Sequence, residues 1–486
     1  MTTTSSTEIR GIERRTIDPV PASERHGRPF NQFTLWFGAN MQVTAVVDGA
    51  LAVVFGAHAI WAIVGLLIGN LAGGAVMALH SAQGPRLGLP QMISSRAQFG
   101  VLGAGIPLIL VIIMYLGFAA TGTVLSGQAI NAILHVSAPA IGIVIFGALT
   151  FVVAAFGYRW IHALGRIATV LGILGFLYLT IKIFVDEGAH TLLGNPHFDI
   201  VSFLLAISLG AGWQLTYGPY VADYSRYLPA DTPERKTFGA TFAGSVIGSM
   251  WSMSLGALIA SVPNSTFLDS QVGFIGTLAG PAAIALIIYL VIVIGKLTVN
   301  TLNAYGGSMT ILTTATAFLK RDRVSPAVRM ICVFCFLAVS VIIALVASAD
   351  FLSNFKNFVL LLLMVFTPWS AINLVDYYLV SKERVDIPAL YDRHGRYGSW
   401  NATALISYAV GVLAQIPFLA QSLYTGPITK ALGGADISWL VGLLLTAAVY
   451  YPWAKRTSSP PDRLIPFDRP TTTDTAEEAA APDLQG

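Results

Sequence analysis

The residues most able to do chemistry lie inside apolar sequence. Lys296 stands in Val291-Ile292-Val293-Ile294-Gly295-Lys296-Leu297-Thr298-Val299-Asn300-Thr301-Leu302-Asn303-Ala304-Tyr305. A lysine at the centre of a bilayer-spanning helix costs about 2.5–3.5 kcal/mol on insertion scales. It therefore reads as a fixed charge or a titrating group beside a cation or substrate site, against the alternative of a side chain snorkelling to an interface. Asp48 follows Trp36-Phe37-Gly38-Ala39-Asn40-Met41-Gln42-Val43-Thr44 and precedes Gly49. It is a candidate partner for Lys296 or a binder of a proton or Na⁺. A solvated position near an outer helix end is the equal alternative. Thr298 joins Lys296 and Asp48 in the coupling set.

A second set suits a flat, polar-edged ring. Asn300 and Asn303 are three apart and share a helix face. An amide offers both donors and acceptors, which matches the edge of a nucleobase; interhelical hydrogen bonding, about 0.6 kcal/mol on average, is the plainer use. Trp213 and Tyr217, four apart, offer stacking faces, and Phe118 offers another. Base–aromatic stacking is worth roughly 1–3 kcal/mol per base, whereas packing or an interfacial position is the ordinary role. Gln42 completes the ring-binding set: Gln42, Phe118, Trp213, Tyr217, Asn300 and Asn303.

Other chemistries lack their residues. The sequence has no phosphate-binding Walker motif, no nucleophile elbow and no metal-ligand cluster. Cys332 and Cys335 form a Cys-x-x-Cys pair in an apolar stretch with no His or acid nearby, which reads as packing. His58, His80, His135 and His162 fall near span ends and read mostly as interfacial. Tyr224-Ser225-Arg226-Tyr227 mixes base and aromatic, but no basic domain stands outside the apolar segments to bind nucleic acid. With no nucleotide-binding domain or cofactor motif, the chain reads as a secondary transporter and not as a self-contained pump or an enzyme.

These residues must be positioned by helices in a bilayer. The chain has 486 residues, 55% hydrophobic and only 11% charged, against roughly 25% charged in soluble domains. Runs such as 60–79 and 139–156 approach or reach the roughly 20 apolar residues a spanning helix needs, and 282–294 is a further long apolar run. Spans are expected near 33–56, 60–82, 104–133, 139–157, 165–185, 200–221, 239–262, 278–305, 328–348, 356–380, 400–421 and 436–453. Lys and Arg then collect on alternate loops. One side receives Arg10, Arg14, Arg15, Arg25 and Arg28, then Arg86 and Arg96, Arg159 and Arg166, Arg226, Arg235 and Lys236. It also receives Lys320, Arg321, Arg323 and Arg329, then Lys382, Arg384, Arg393 and Arg396. The other side has little beyond Lys182, Lys356 and Lys430. The positive-inside rule makes the first side cytoplasmic, with both termini there and an even number of crossings.

The expected organisation is a cytoplasmic tail over 1–32 and a ten-helix core over 33–380, in two stretches, 33–348 and 349–380. Helices 11 and 12 with the preceding loop cover 381–454, and a disordered cytoplasmic tail covers 455–486. Spans 1, 6 and 8 carry glycine and polar residues at membrane depth, which is tolerated only where backbone lines a cavity or is buried in protein. In span 6 these run Gly210-Ala211-Gly212-Trp213-Gln214-Leu215-Thr216-Tyr217-Gly218-Pro219-Tyr220. An offset of five between broken spans 1 and 6 suits a five-plus-five inverted repeat.

Several stretches resemble nucleobase:cation symporter family one, the purine–cytosine permeases. They are Gly11-Ile12-Glu13-Arg14, Ser94-Ser95-Arg96-Ala97-Gln98-Phe99-Gly100, Pro219-Tyr220-Val221-Ala222-Asp223-Tyr224-Ser225-Arg226-Tyr227-Leu228-Pro229, Asn300-Thr301-Leu302-Asn303-Ala304-Tyr305 and Pro368-Trp369-Ser370-Ala371-Ile372-Asn373-Leu374-Val375-Asp376-Tyr377-Tyr378. Their order runs from the N-terminal tail through span 10. The resemblance implies an all-α integral membrane protein of about 12 transmembrane helices, the first ten an inverted repeat with broken helices 1 and 6, working by alternating access. It implies a nucleobase-like ring stacked between aromatics of helices 3 and 6 and coupled to H⁺ or Na⁺. Asn303 takes the helix 8 amide position. Phe118 and Tyr217 stand where tryptophan is more usual, and Gly122 where an amide is frequent. The family's Na⁺ site would fall near Ala39, Gln42 and Thr298, beside Lys296, whose ammonium could take the place of the cation.

The expectation is a plasma-membrane symporter importing cytosine or a purine, with H⁺ as coupling ion. Na⁺-coupled transport of hydantoin, allantoin or uracil is the alternative, and an amino-acid transporter or a channel lies further away. Asp223 and Arg226 are expected in the cytoplasmic gate or its loops.

Overall fold

The computed structural model describes residues 18–467 apart from 157, 264, 320–325 and 423; the side chains of 156–169, 313 and 316–326 lie outside the description. The charges expected at Arg10, Arg14, Arg15, Arg159, Arg166, Lys320, Arg321 and Arg323, and His162, therefore fall outside the described side chains. Among the described residues the chain is helical, and its only extended pairings are isolated bridges, Asp386 with Ile465 and Ala420 with Thr425.

The first span is two helices, α1 (Pro29–Asn40) and α2 (Val43–Val54), bent by 61° at Met41 and Gln42. Pro29 opens α1, where its missing N–H has no helical partner to lose. At the break, Gln42 is extended (φ −146°, ψ 154°) and its carbonyl restarts the helix by accepting from Ala45 N–H at 3.0 Å. Next come α3 (Ala59–Leu87), the short α4 (Gln91–Ser94) and α5 (Arg96–Phe99), then α6 (Gly105–Leu134), α7 (Pro139–Phe156), α8 (Tyr158–Glu187) and α9 (Ala189–Leu193). The sixth span is α10 (Ile200–Leu215) and α11 (Gly218–Ser225). Asp199 caps α10: its Oδ2 accepts from Ser202 N–H at 2.8 Å, and this backbone bond holds the carboxyl below its ordinary value.

The remaining helices are α12 (Glu234–Ala260), α13 (Gln271–Leu278), α14 (Ala282–Leu319), α15 (Pro326–Ala347), α16 (Phe351–Leu374), α17 (Ala402–Gln415), α18 (Pro427–Ala431) and α19 (Ser438–Thr457). A π-helical turn, Val375–Val380, extends α16. Each expected span falls on a helix. Six described segments are long and apolar enough to cross a membrane, or seven counting the bent first span. α17 is shorter than a spanning helix needs, and tyrosines, tryptophans and Pro452 dilute the apolar content of α19.

The two expected breaks differ. Span 1 turns sharply, whereas Ile200–Ser225 continues as one span in which Thr216 and Tyr217 keep helical dihedrals. Pro219 lies at the first turn of α11, where proline does not disturb a helix ladder.

Two helix groups face each other. In one, α3 runs against α10 and α12, and α12 also carries α1 and α2. In the other, α6 runs against α14, α7 and α15. Small residues allow close backbone approach in the first group: a Cβ on Gly256 would stand 1.8 Å from Val46 O, and one on Gly49 2.1 Å from Met253 O. At one end, the segment before α1 straps across the loops, with Arg25 Nη1 donating to Pro85 O at 2.6 Å and His26 N–H to Tyr227 O at 2.6 Å. Beyond α19, Ile465 exchanges backbone bonds with Val385 and Ile387, and Leu464 and Phe467 pack beside Tyr391, so ordered chain runs well past position 455.

Candidate functional site

Lys296 lies on α14 facing the break in span 1 and is 4% exposed. Its Nζ donates to Gln42 Oε1 at 2.6 Å and also to Thr44 Oγ1. Gln42 in turn donates its Nε2 to Ala39 O at 2.8 Å. One ammonium thus ties α14 to the two residues that restart the helix after its break. Ala39, Gln42 and Thr298 are each half-buried. The Thr298 hydroxyl is engaged on its own helix, donating to Ile294 O at 3.1 Å.

Asp48 is one turn beyond Thr44 on α2 and fully buried. Neither carboxylate oxygen has a hydrogen-bond partner, so of the alternatives for Asp48 the pairing with Lys296 is not made here: the lysine reaches Gln42 and Thr44 instead. Nor is Asp48 solvated at a helix end. A buried carboxylate with no donor is costly as an anion and is tolerated when it carries a proton or meets a cation.

The aromatic residues form a cluster of edge contacts. Phe118 meets Trp213 at 5.9 Å and 89°, and Trp213 meets Tyr217 at 6.0 Å and 85°. Trp36 meets Tyr217 at 5.2 Å. Phe118 is half-buried, Trp213 and Tyr217 buried. The polar atoms of the two span 6 aromatics converge on Asn40, the last residue of α1: its Oδ1 accepts from Trp213 Nε1 at 2.6 Å, Ser249 Oγ at 2.8 Å and Tyr217 OH at 3.2 Å. Asn40 Nδ2 donates to Trp36 O at 2.7 Å and Ser245 Oγ at 3.1 Å, and Ser252 Oγ donates to Asn40 O at 2.8 Å. Ser245 Oγ and Gln214 Oε1 continue the network to Asn70 through Gln214 Nε2. This centre was not singled out from the sequence. Its available signal is the helical spacing of Ser245, Ser249 and Ser252 on α12 opposite an asparagine at the break.

The two α14 amides separate. Asn303 is half-buried, and its side chain has no hydrogen bond among the described residues. Asn300 is fully buried and donates its Nδ2 to Ala119 O at 2.8 Å and Thr123 Oγ1 at 3.1 Å on α6.

A second buried polar cluster lies at the strapped end. His80 is fully buried, not interfacial: its ring stacks on Trp369 at 4.7 Å, Nε2 meets Ser370 Oγ at 3.2 Å and Nδ1 meets Gln91 Nε2 at 3.3 Å. Asp376, in the π-helical turn, accepts from Tyr450 OH at 2.9 Å, Ser381 Oγ at 3.0 Å and Gln98 Nε2 at 3.1 Å. Asp223 accepts from Gln91 N–H at 2.8 Å, and Arg226 Nη1 reaches Asp18 O at 3.5 Å, so both residues tie span 6 to the loop and strap around it. Cys332 and Cys335 are free thiols, and no cluster of three metal-ligating side chains occurs among the described residues.

Two helix groups meeting over a broken first span, with ionisable and amide side chains buried at their junction, define a membrane carrier. Comparison with known proteins makes the class specific. A family model described as permease for cytosine/purines, uracil, thiamine, allantoin matches residues 19–442. A putative purine-cytosine permease of Bacillus subtilis, YxlA, is 40% identical over 444 residues, covering 90% of this chain and 95% of that one. The inward-facing conformation of Mhp1 superposes with TM-score 0.72 at 19% identity, covering 93% of this chain and 96% of that one. Mhp1, described as a nucleobase-cation-symport-1 family transporter, in a closed conformation with bromovinylhydantoin bound, gives TM-score 0.68 at 19% identity, covering 92% and 96%. The chain belongs to the cytosine/purine permease family: it is a multi-pass membrane permease, and not an enzyme.

Proposed function

We propose that this permease imports a nucleobase such as cytosine or a purine across the plasma membrane together with a proton, by alternating access. In this reading the helices make twelve crossings with both termini cytoplasmic, and the first ten form a five-plus-five inverted repeat. Phe118, Trp213 and Tyr217 supply the stacking surface, and Gln42, Asn300 and Asn303 meet the ring edge. Lys296, Asp48 and Thr298 make up the coupling region.

The observation that carries proton coupling is the Lys296 contact with Gln42 and Thr44. An ammonium there supplies, from the protein itself, the positive charge that a bound cation would otherwise bring to the break in span 1. As an ammonium it makes charge-assisted bonds to two side-chain oxygens, stronger than those a neutral amine would make. Loss of a proton removes the charge and weakens the tie between α14 and the break, which is the junction of the two helix groups. The unpartnered Asp48, one turn away, is a second proton carrier on the same helix face.

Uptake of radiolabelled cytosine by cells expressing the chain tests this directly. Uptake that persists in Na⁺-free medium and collapses with a protonophore supports it. Strict Na⁺ dependence overturns the coupling. Competition by cytosine, uracil, adenine, hypoxanthine, hydantoin and allantoin assigns the ring, and preferential displacement by hydantoin or allantoin overturns the nucleobase assignment.

A further inference from the structure

We propose that the groove between α8 and α14 is a lipid site: one acyl chain of a phospholipid lies in it, with the phosphate beside Lys182. The site is separate from the ring-binding and coupling residues.

Gly172 and Gly175 on α8, Ile288 and Ile292 on α14, and Val43 and Val46 on α2 line a cavity of about 200 Å³. An apolar cavity of about 150 Å³ takes up a benzene molecule, so this one has room for a run of methylenes. At its nearest approach α8 offers no side chain. A Cβ on Gly172 or Gly175 would meet no atom within 4 Å, although Gly172 is buried. Such a gap costs its lining the contacts that close packing would supply. The one side-chain hydroxyl in the lining, that of Tyr178, already donates to Ala279 O at 2.7 Å. The cavity therefore suits hydrocarbon and offers a polar ligand no free donor.

Its depth selects the source of that hydrocarbon. Residues 282–312 of α14 are long and apolar enough to cross a membrane. The lining residues 284–292 rise about 12 Å along the helix, less than half of the roughly 30 Å hydrocarbon core. The groove thus lies within one leaflet. Exposed Leu171, Leu174 and Ile287 flank its mouth, so an occupant enters sideways from the bilayer and not along the substrate path.

Charge marks the upper end. Tyr178 and Lys182, one turn apart on α8, both reach the turn that precedes α14. Tyr178 bonds Ala279, and Lys182 Nζ lies 3.4 Å from where a Cβ on Gly280 would stand. Lys182 Nζ donates to Asp186 Oδ2 at 2.6 Å, a surface pair of the weak i, i+4 kind. An ammonium has three donors, so it can serve this carboxylate and a phosphate oxygen together. A chain seated here also braces the carrier: Val43 and Val46 flank Thr44, which accepts from Lys296, and Ile292 is one turn before Lys296 on α14.

The test uses delipidated full-length protein and a phospholipid carrying a diazirine midway along one acyl chain, with crosslinked peptides mapped by mass spectrometry. Labelling of 171–179 and 284–292 is expected to exceed that of the exposed α15 face at Val339 and Ile342 by at least about fivefold, as the burial of a few methylenes would give. Gly175→Phe fills the cavity, removes this excess and raises the melting temperature of the delipidated protein toward that of the lipid-loaded wild type. Gly172→Leu does the same and keeps the test standing should Gly175→Phe fail to fold. Lys182→Gln weakens the labelling, and a free fatty acid with the same diazirine labels the groove less than the phospholipid does. Even labelling over all lipid-facing helices overturns the proposal, as does an excess that persists in a folded glycine variant. Crosslinks between two copies of the chain through this face, in place of lipid, overturn it too. Equal labelling by the fatty acid together with no effect of Lys182→Gln overturns the phospholipid assignment.

Discussion

The two sides of the span 1 break show opposite hydrogen-bond economies. On the α10–α12 side, Asn40 has its amide, carbonyl oxygen and backbone carbonyl all engaged by Trp213, Tyr217, Ser249, Ser245 and Ser252. On α2 and α14, by contrast, Asp48 and Asn300 keep buried oxygens with no donor. Asn40, Asp48 and Asn300 are all fully buried, so burial does not separate them; satisfaction does. A saturated network fixes two helices to each other, because every member loses a partner if one moves. An unsaturated one is stable only with something bound or with a proton in place. The difference marks the Asn40 network as a fixed joint of α1, α10 and α12 that holds the Trp213 and Tyr217 rings in place, and Asp48 and Asn300 as the groups left unsatisfied.

The largest expected effect comes from breaking the saturated side. Asn40→Ala removes the acceptor of three buried donors, each worth about 1–3 kcal/mol when left unsatisfied. Because the three share one atom, the losses do not simply add. The expected result is loss of most of the monodisperse peak in fluorescence-detected size exclusion. A variant that melts like the wild type would deny the network its scaffold role.

Asp48→Asn probes the other side and carries the opposite sign for stability. It keeps the shape and removes a group that is costly when charged, so the melting temperature stays level or rises. Uptake, however, becomes less steeply dependent on external pH, with Lys296 still coupling a proton. A melting point lowered by the equivalent of about 2 kcal/mol or more would mean that Asp48 holds a structural contact.

The smallest effect is expected at Thr298. Its hydroxyl is bonded to Ile294 O on its own helix, and removing such a group changes stability by under about 0.5 kcal/mol. Thr298→Ala should therefore transport within about twofold of the wild type. Loss of uptake would instead place the hydroxyl on a Na⁺ ion and sharpen the comparison against Lys296.

Charge was the legible part of this chain. Lys296 and Asp48 stand out because an ionisable side chain in apolar sequence of bilayer length is rare, and the helical runs follow from the same composition. Partnership was not legible. Thr44 and Asp48 share a face of α2, and nothing in their spacing says that the ammonium stops at Thr44. Asn40 escaped notice because its role is made by convergence of α1, α10 and α12, which no single helix reveals. His80 reads as interfacial from its distance along α3, yet α16 and the α4 turn cover it. Span 6 has the glycines and proline of a broken helix, but Pro219 falls in a first turn, where the ladder tolerates it, so the span bends little.

The central claim is that Lys296 carries the coupling proton at the break of span 1. Purified protein in Na⁺-free proteoliposomes with a trapped pH dye tests it most directly. Addition of cytosine outside should acidify the lumen in the wild type and leave it unchanged with Lys296→Met, a variant that keeps the fold because an apolar chain of similar length replaces a buried cation. Cytosine entry that requires Na⁺ and moves no protons, or proton movement that survives in Lys296→Met, would contradict it.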